Sequence, residues 1–389
     1  MKNNLWKSGV EEIISSDSLQ KRLKTGKKLR IKYGVDPTRP DIHLGHAVAM
    51  WKLKELQEMG HTVIFLIGDY TTKIGDPSGR NTTRPVLSDE EIKCNAKTYF
   101  DQVSKILDLK KTEVRYNSEW FKNMTFSDIL SLAGKFTVAS IIERDDFSKR
   151  IKDRVEVGLH ELLYPLMQAY DSVALNADIE FGGSDQKFNI LAGRELQKKI
   201  GQIPQEIVLF KLLVGTDGKK KMSKSEGNYI GITEPAPIMF GKIMSIPDSL
   251  ILTYFELCAL YDEKNIKKID DELKSGKNPR DIKEKLALEI VKLYHGEEES
   301  KKAAASFSAQ FREKKMPDKM PEIKLTGNYE LPLLIVEIGA ANSNSEARRL
   351  IQQGAIRVDG AKISDPKSTI SAYKGMVIQV GKLKYWRIK

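Results

Sequence analysis

Leu29-Arg30-Ile31-Lys32-Tyr33-Gly34-Val35, then Asp36-Pro37-Thr38 and, after Pro40-Asp41, His43-Leu44-Gly45-His46 form the stretch from which the fold is read. The first seven residues alternate as a strand entering a core. Asp-Pro-Thr and Pro-Asp are turn chemistry, and Val48, Trp51, Leu53, Leu56 and Met59 then recur at helical spacing up to Gly60. Thr62 to Ile67 is a continuous apolar run of strand type. Strand, helix and strand within about 40 residues make a parallel crossover unit, in which ligands collect at strand carboxyl ends and helix N-termini. His43 and His46 fall at that place.

A second stretch suits the same ligand from the other side. Lys219, Lys220, Lys221 and Lys224 crowd a loop that contains Met222 and Ser223 and is flanked by Gly215, Gly218 and Gly227. That composition is expected to stay mobile until a polyanion organises it. When a nucleophile attacks the α-phosphate of ATP, negative charge grows on phosphorus and on the departing pyrophosphate, and imidazole N–H groups and ammonium groups are donors that strengthen as it appears. Gly45 lets the nucleotide approach the helix backbone where a Cβ would collide. Taken singly, the histidine motif also fits a turn entering a helix, and the lysine run also fits a solvated face.

Together, in this order and separation, the two motifs resemble the paired signatures of class I aminoacyl-tRNA synthetases. Ile74-Gly75-Asp76-Pro77-Ser78-Gly79, Tyr164 to Asp171, and Gly182-Gly183-Ser184-Asp185-Gln186 narrow the resemblance to the tyrosyl-tRNA synthetases of bacteria, in the branch with an intact Lys-Met-Ser-Lys-Ser loop, along nearly the whole chain. The resemblance implies ATP-dependent activation of L-tyrosine to tyrosyl adenylate, then transfer to the 3′ end of tRNA(Tyr). Thr38, His43, His46, Lys221 and Lys224 would stabilise the transition state; Asp36, Gly45, Gly183, Asp185, Met222 and Ser223 would hold ATP. Asp76, Tyr164 and Gln168 would take the α-ammonium group, Gln186 the carboxylate and Asp171 the phenol O–H. Mg²⁺ would arrive on the ATP phosphates, with no protein-bound metal, and the family implies a cytoplasmic homodimer with Phe126 to Ala139 in its interface.

The residue types agree with those roles. Tyr164, Gln168 and Asp171, at intervals of four and three, share one helix face. A buried acceptor such as Asp171 is left unpaired by a substrate that lacks the phenol hydroxyl, which penalises phenylalanine. Asp76-Pro77-Ser78-Gly79 is also good β-turn chemistry, and Gly182 to Gln186 also fits a capped loop. One position departs from many bacterial tyrosyl enzymes: Lys32 stands where they carry a tyrosine that binds the phenol. It resembles instead the branch that has Lys here with the Lys-Met-Ser-Lys-Ser loop intact, which leaves open how the second hydrogen bond to the phenol is made. Tyr33, one residue along a strand, points to the opposite face and does not replace it.

The 389 residues carry a net charge of +11, with 40% hydrophobic and 30% charged residues, a balance expected of a soluble globular protein of several domains. Met1 to Lys28 holds no apolar run fit for a signal peptide, and no membrane span is expected. Cys94 and Cys258 are far apart, which supports neither a disulfide framework nor a thiolate zinc site. His61, His160 and His295 are isolated and read as structural or surface residues.

The expected architecture is α/β. A Rossmann-like parallel-sheet catalytic domain over 1–225 is followed by an α-helical anticodon-side domain over 226–316, a linker over 317–330, and a small α+β RNA-binding domain of ribosomal-protein type over 331–389. Leu331 to Lys389 holds ten Lys or Arg against four Asp or Glu, a net of +6, so the basic excess is local. Ser343-Asn344-Ser345-Glu346 is a capping box that starts a helix carrying Arg348 and Arg349; Asp359-Gly360 and Gly381-Lys382 are hairpin turns. Arg348 and Arg349 make a phosphate fork, extended by Arg357, Lys362 and Lys384. Of Tyr385 and Trp386, alternation turns one inward to the core.

Three other readings share features of the chain. A tryptophanyl enzyme would have both ATP motifs, and its indole N–H also needs an acceptor; the Tyr164, Gln168 and Asp171 face and the basic C-terminal domain favour tyrosine. Small adenylyltransferases use the histidine motif without the long appendages. A noncatalytic RNA-binding paralogue would be expected to have lost the ATP motifs, which are intact here.

Overall fold

The computed structural model describes residues 6, 8–78, 87–312, 320–325, 327–341, 343–381 and 384–389. Gly79, Lys382, Leu383 and positions 317–319 of the expected linker lie outside the described residues. The chain divides into two compact units, Met1–Ala304 and Ala305–Lys389.

The first unit is built on six strands: β1 (Val10–Ile14), β2 (Arg30–Val35), β3 (Thr62–Ile67), β4 (Thr112–Tyr116), β5 (Ile179–Gly183) and β6 (Glu206–Phe210). They lie in the order β1-β6-β5-β2-β3-β4, with β1 antiparallel on β6 and every other pair parallel. Parallel strands covered on both faces read as unbroken apolar runs, and β3 and β6 are buried at every residue. From β2 the chain winds outward through β3 and β4, then returns to the other side of β2 for β5 and β6. The carboxyl ends of β2 and β5 therefore flank the point where the winding reverses, where loops diverge and leave a crevice.

The helix Leu44–Glu58 joins β2 to β3, and the helix Tyr164–Ala174 leads into β5 and packs against the helix Lys187–Lys199. Beyond the sheet the chain turns helical. Pro279–His295 buries Ile282, Leu286, Ala287, Ile290, Val291 and Tyr294 at the three and four spacing of a helix face. Trp51 Nε1 donates to Tyr294 Oη at 3.1 Å, tying the helix Leu44–Glu58 to this layer. No single helix among the described residues is long and apolar enough to cross a membrane.

The second unit has its own core, gathered around Leu331, Leu334, Ile335, Ile351, Ile356 and Ile378. Strands β7 (Glu322–Ile323), β8 (Gly327–Glu330), β9 (Ile356–Val358), β10 (Ala361–Ile363), β11 (Thr369–Ala372), β12 (Val377–Val380) and β13 (Lys384–Ile388) form a five-stranded sheet, β10-β9-β12-β13-β7, and a pair, β11-β8. Ser343 Oγ caps the helix Asn344–Gln352 through the Glu346 N–H, as its sequence predicts. Asp359 and Gly360 both adopt positive φ, the requirement of a tight hairpin turn. Of the 317–330 stretch expected as linker, the described residues 320–325 and 327–330 hold β7 and β8; position 326, like 317–319, lies outside the described residues. Short edge strands held by backbone pairing carry little apolar alternation, so sequence pattern does not reveal them.

Candidate active site

A cleft of about 640 Å³ opens where the winding reverses and is lined by residues from both signature motifs. His43 is the N-cap of the helix Leu44–Glu58, and its backbone N–H donates to His46 Nδ1 at 3.3 Å. That contact leaves the His46 proton on Nε2. The two rings lie 3.8 Å apart between centroids, inclined by 35°. Burial, and then Lys224 and Lys221, push His46 down to about 4; burial, His46 and the same lysines push His43 well below the usual imidazole range. Both rings are therefore neutral donors at pH 7. A Cβ at Gly45 would come within 3.1 Å of the His43 ring, so the glycine keeps the paired imidazoles in place as well as the helix backbone open.

The lysine loop crosses this end of the cleft because the chain after it is sewn to the first motif. Leu44 N–H donates to the Ile230 carbonyl at 2.9 Å, and Ile232 N–H to that of Ile42 at 3.0 Å. The loop, expected to be loose, is a hairpin braced by Asn228, whose amide holds Asp217, the Lys221 carbonyl and the Ser223 N–H. Met222 is buried beneath it. Lys221 pairs with Asp185 at 2.7 Å and Lys224 with Asp41 at 2.9 Å. Thr38 is half-buried on the cleft wall. Gly183 ends β5, where a Cβ would strike Asp185 Oδ1 at 2.7 Å and Leu212 at 2.9 Å.

The opposite end is polar at its floor. Tyr164, Gln168 and Asp171 share one face of their helix and line the cleft. Tyr164 Oη donates to Asp36 Oδ2 at 2.9 Å, and Thr71 Oγ1 donates to Asp36 Oδ1 at 2.9 Å. Asp76 accepts from the Ser78 N–H and from Gln186 Nε2, both at 2.8 Å. Gln168 Oε1 is buried without a hydrogen-bond partner in the protein, as an acceptor kept for a ligand would be.

Asp171 accepts from Trp120 Nε1 at 3.0 Å and from Asn117 Nδ2 at 3.4 Å. A carboxylate has about four acceptor positions, so two remain. Burial raises this carboxyl to about 7 against the opposing pull of Lys32, Trp120 and Asn117. Asn117 and Trp120 escaped the sequence reading; their signal was position, just past the carboxyl end of β4.

Lys32, the departure from many bacterial tyrosyl enzymes, is almost fully buried. Its ammonium reaches Glu180 Oε1 at 2.9 Å, Ser172 Oγ at 2.8 Å and the Gln168 carbonyl at 3.1 Å. All three N–H donors are thereby spent inside the protein, and none is left for a phenol. Tyr33 turns the other way, its hydroxyl toward the His46 carbonyl at 3.4 Å.

In the second unit Arg348, Arg349, Arg357 and Lys362 are all exposed. Arg357 and Lys362 face each other across the β9–β10 hairpin. Trp386 packs against the core.

Two family models match the chain: tRNA synthetases class I (W and Y) over residues 24–312, and the tyrosine–tRNA ligase SYY-like C-terminal domain over 312–388. The tyrosine–tRNA ligase of Thermotoga maritima is 51% identical over 385 residues, 99% of this chain and 96% of that protein. That of Francisella tularensis is 51% identical over 384 residues, 98% and 96% of the two chains. Among solved structures, the Archaeoglobus fulgidus tyrosyl-tRNA synthetase complexed with L-tyrosine superposes with a TM-score of 0.64 at 26% identity, covering 77% of this chain and 98% of that one. Plasmodium falciparum tryptophanyl-tRNA synthetase gives 0.59 at 18%, covering 76% and 83%, a likeness of fold alone.

Proposed function

The chain belongs to the tyrosine–tRNA ligases of the class I tRNA synthetase family, and from that premise we propose how its cleft divides the work of joining L-tyrosine to tRNA. The enzyme uses ATP, tyrosine and tRNA. The observation that carries the division of labour is that both ATP motifs and the Tyr164, Gln168 and Asp171 face line one cleft.

In the first step a tyrosine carboxylate oxygen bonds to the α-phosphorus, and the bond from that phosphorus to the bridging oxygen breaks and releases pyrophosphate. The carboxylate is already an anion at neutral pH, so alignment and charge stabilisation replace a side-chain base. Asp171 accepts the phenol O–H. Asp76, Tyr164 and Gln168 hold the ammonium group, and the second N–H of Gln186 Nε2 meets the carboxylate. Gly183 and Asp185 face the ribose, and Asp36, Gly45, Met222 and Ser223 shape the nucleotide end. The neutral His43 and His46, with Thr38, donate to the phosphates. Lys221 and Lys224 exchange Asp185 and Asp41 for the leaving pyrophosphate. ATP would be bound as its Mg²⁺ complex, the ion supplying charge neutralisation of the phosphates beside that of Lys221 and Lys224. In the second step a hydroxyl of the terminal tRNA ribose attacks the adenylate carbonyl, AMP departs, and Arg348, Arg349, Arg357 and Lys362 meet tRNA phosphates.

The reading extends to assembly, domains and location. Phe126, Leu130 and Val138 are 77%, 57% and 69% exposed on the stretch expected at a homodimer interface, and a second copy would cover them. The catalytic domain runs to about residue 225, the helical anticodon-side domain follows, and the C-terminal domain meets RNA in the cytoplasm. Substitutions test the roles: His46→Gln and Lys221→Ala are expected to slow adenylate formation by roughly 10²-fold each while tyrosine binding by equilibrium dialysis stays near wild type. Equal losses in tyrosine binding would reject the assignment.

A further inference from the structure

Arg144 lies outside both motifs, yet its guanidinium is linked, through Ser78 and through Asn189, to the two residues assigned to the amino-acid end of the substrate. It is 5% exposed and precedes the helix Asp145–Lys152. Its Nε and Nη2 grip the Asp146 carboxylate at 2.7 Å each. Nη2 also donates to Ser78 Oγ at 2.9 Å, in the turn whose backbone N–H holds Asp76 Oδ1. Nη1 donates to Asn189 Oδ1 at 2.8 Å, Asn189 Nδ2 to Gln186 Oε1 at 3.1 Å, and Gln186 Nε2 to Asp76 Oδ2 at 2.8 Å.

The chain of bonds has a direction, and Arg144 sets it. Side-chain amides can turn over and exchange oxygen for nitrogen, whereas a guanidinium has donors and no acceptor. Asn189 must therefore show its oxygen to Arg144 and its nitrogen to Gln186, and Gln186 must show its nitrogen to Asp76. The reversed Gln186 would set a carbonyl oxygen against the Asp76 carboxylate and withdraw the N–H groups from the substrate carboxylate. Ion pairing with Asp146 fixes the guanidinium that dictates this order.

We propose that Arg144 is the positioning residue of the amino-acid end of the cleft, orienting Gln186 through Asn189 and Asp76 through Ser78 so that both are set to receive the substrate's carboxylate and ammonium groups. The inference rests on the tyrosine reading above. It assigns a role in selection for an amino acid, as distinct from any other phenol, to a residue that does not touch the substrate.

Arg144→Lys and Asn189→Asp test it in tyrosine-dependent ATP–pyrophosphate exchange, with tyramine, which lacks the carboxylate, as a competitive inhibitor. Asn189→Asp keeps an acceptor for Arg144 but cannot donate to Gln186, and a native circular dichroism spectrum and thermal melt verify that each variant folds. In both variants KM for tyrosine is expected to rise about tenfold or more, the effect of losing one hydrogen bond to a charged group. KM for ATP should move far less, and tyramine, which keeps the ammonium group, should weaken along with tyrosine in Arg144→Lys but far less than tyrosine in Asn189→Asp. Tyrosine and tyramine weakened equally in Asn189→Asp, or tyrosine KM unchanged there, would overturn the inference. A folded wild-type chain without tyrosine-dependent exchange would instead overturn the reading beneath it, and the inference with it.

Discussion

Lys32 on β2 and Glu180 on β5 are register partners on adjacent parallel strands, and their side chains meet as a buried ion pair with Nζ and Oε1 2.9 Å apart. The pair lies at the end of the cleft lined by Gln168 and Asp171, with Ser172 and Gln205 donating to the other Glu180 oxygen. Lys32 thus has its three donors engaged within the protein, at the wall of the cleft.

Lys32→Met leaves Glu180 buried without its cation, and is expected to cost about 3–5 kcal/mol in denaturant unfolding. Lys32→Met combined with Glu180→Gln should recover a large part of that loss. A double variant as unstable as the single one would show that the pair contributes through packing and not through charge.

Asp171 is expected to make tyrosine binding depend on pH. Its carboxyl, raised by burial to about 7, is expected to accept the phenol O–H best when ionised, so tyrosine affinity should fall as the pH drops below about 7. The sign for stability is opposite. The folded chain holds the proton more tightly than the unfolded one, so the linked stability is fully present below the unfolded value of about 4 and is lost as the pH rises through about 7. Asp171→Asn should flatten both profiles and weaken tyrosine activation; calorimetric titration and thermal melts across that range would show either slope persisting if another group were responsible.

The strand–helix–strand unit at Leu29 to Ile67 was legible because buried parallel strands read as apolar runs and the helix shows its own period. The helix face of Tyr164, Gln168 and Asp171 was legible for the same reason of spacing. Glu180 was not, because a charge inside an apolar strand does not say which distant strand it faces; the return of β5 beside β2 decides that. Asn228 and Arg144 were hidden likewise, since a brace or a hub is defined by partners far away in sequence. β1 has exposed glutamates at Glu11 and Glu12, and such an edge strand carries little apolar signal.

His46 should titrate far from the ordinary imidazole value. In the ATP-free enzyme its NMR signal, assigned with His46→Gln, is expected to titrate near 4 rather than about 6.5. Because the folded value is depressed, the linked stability is present above about 6.5 and is lost as the pH falls through about 4. Titration near 6.5 would mean that the ring is neither desolvated nor close to Lys221 and Lys224.

Residues beyond Arg312 should be separable from adenylation. β7 begins at Glu322 and pairs with β13, so a cut after Lys324 would leave an orphan strand, whereas a cut after Arg312 removes the sheet whole. The shortened enzyme is expected to keep tyrosine-dependent pyrophosphate exchange within a few-fold and to lose tRNA charging. Loss of exchange from a folded truncation would contradict that separation.

The exposed apolar face should control assembly. Leu130→Asp together with Val138→Asp is expected to convert a dimer to a monomer in analytical ultracentrifugation, with a native circular dichroism spectrum. A dimer that survives both charges would place the interface elsewhere.

The cleft is expected to recognise tyrosine and to activate it with ATP before any tRNA is present. ATP–pyrophosphate exchange with each of the twenty amino acids offered separately, and no tRNA, tests this most directly. Exchange with tyrosine and none with tryptophan or phenylalanine is the predicted result; exchange driven by tryptophan, or none at all from a folded sample, would contradict it.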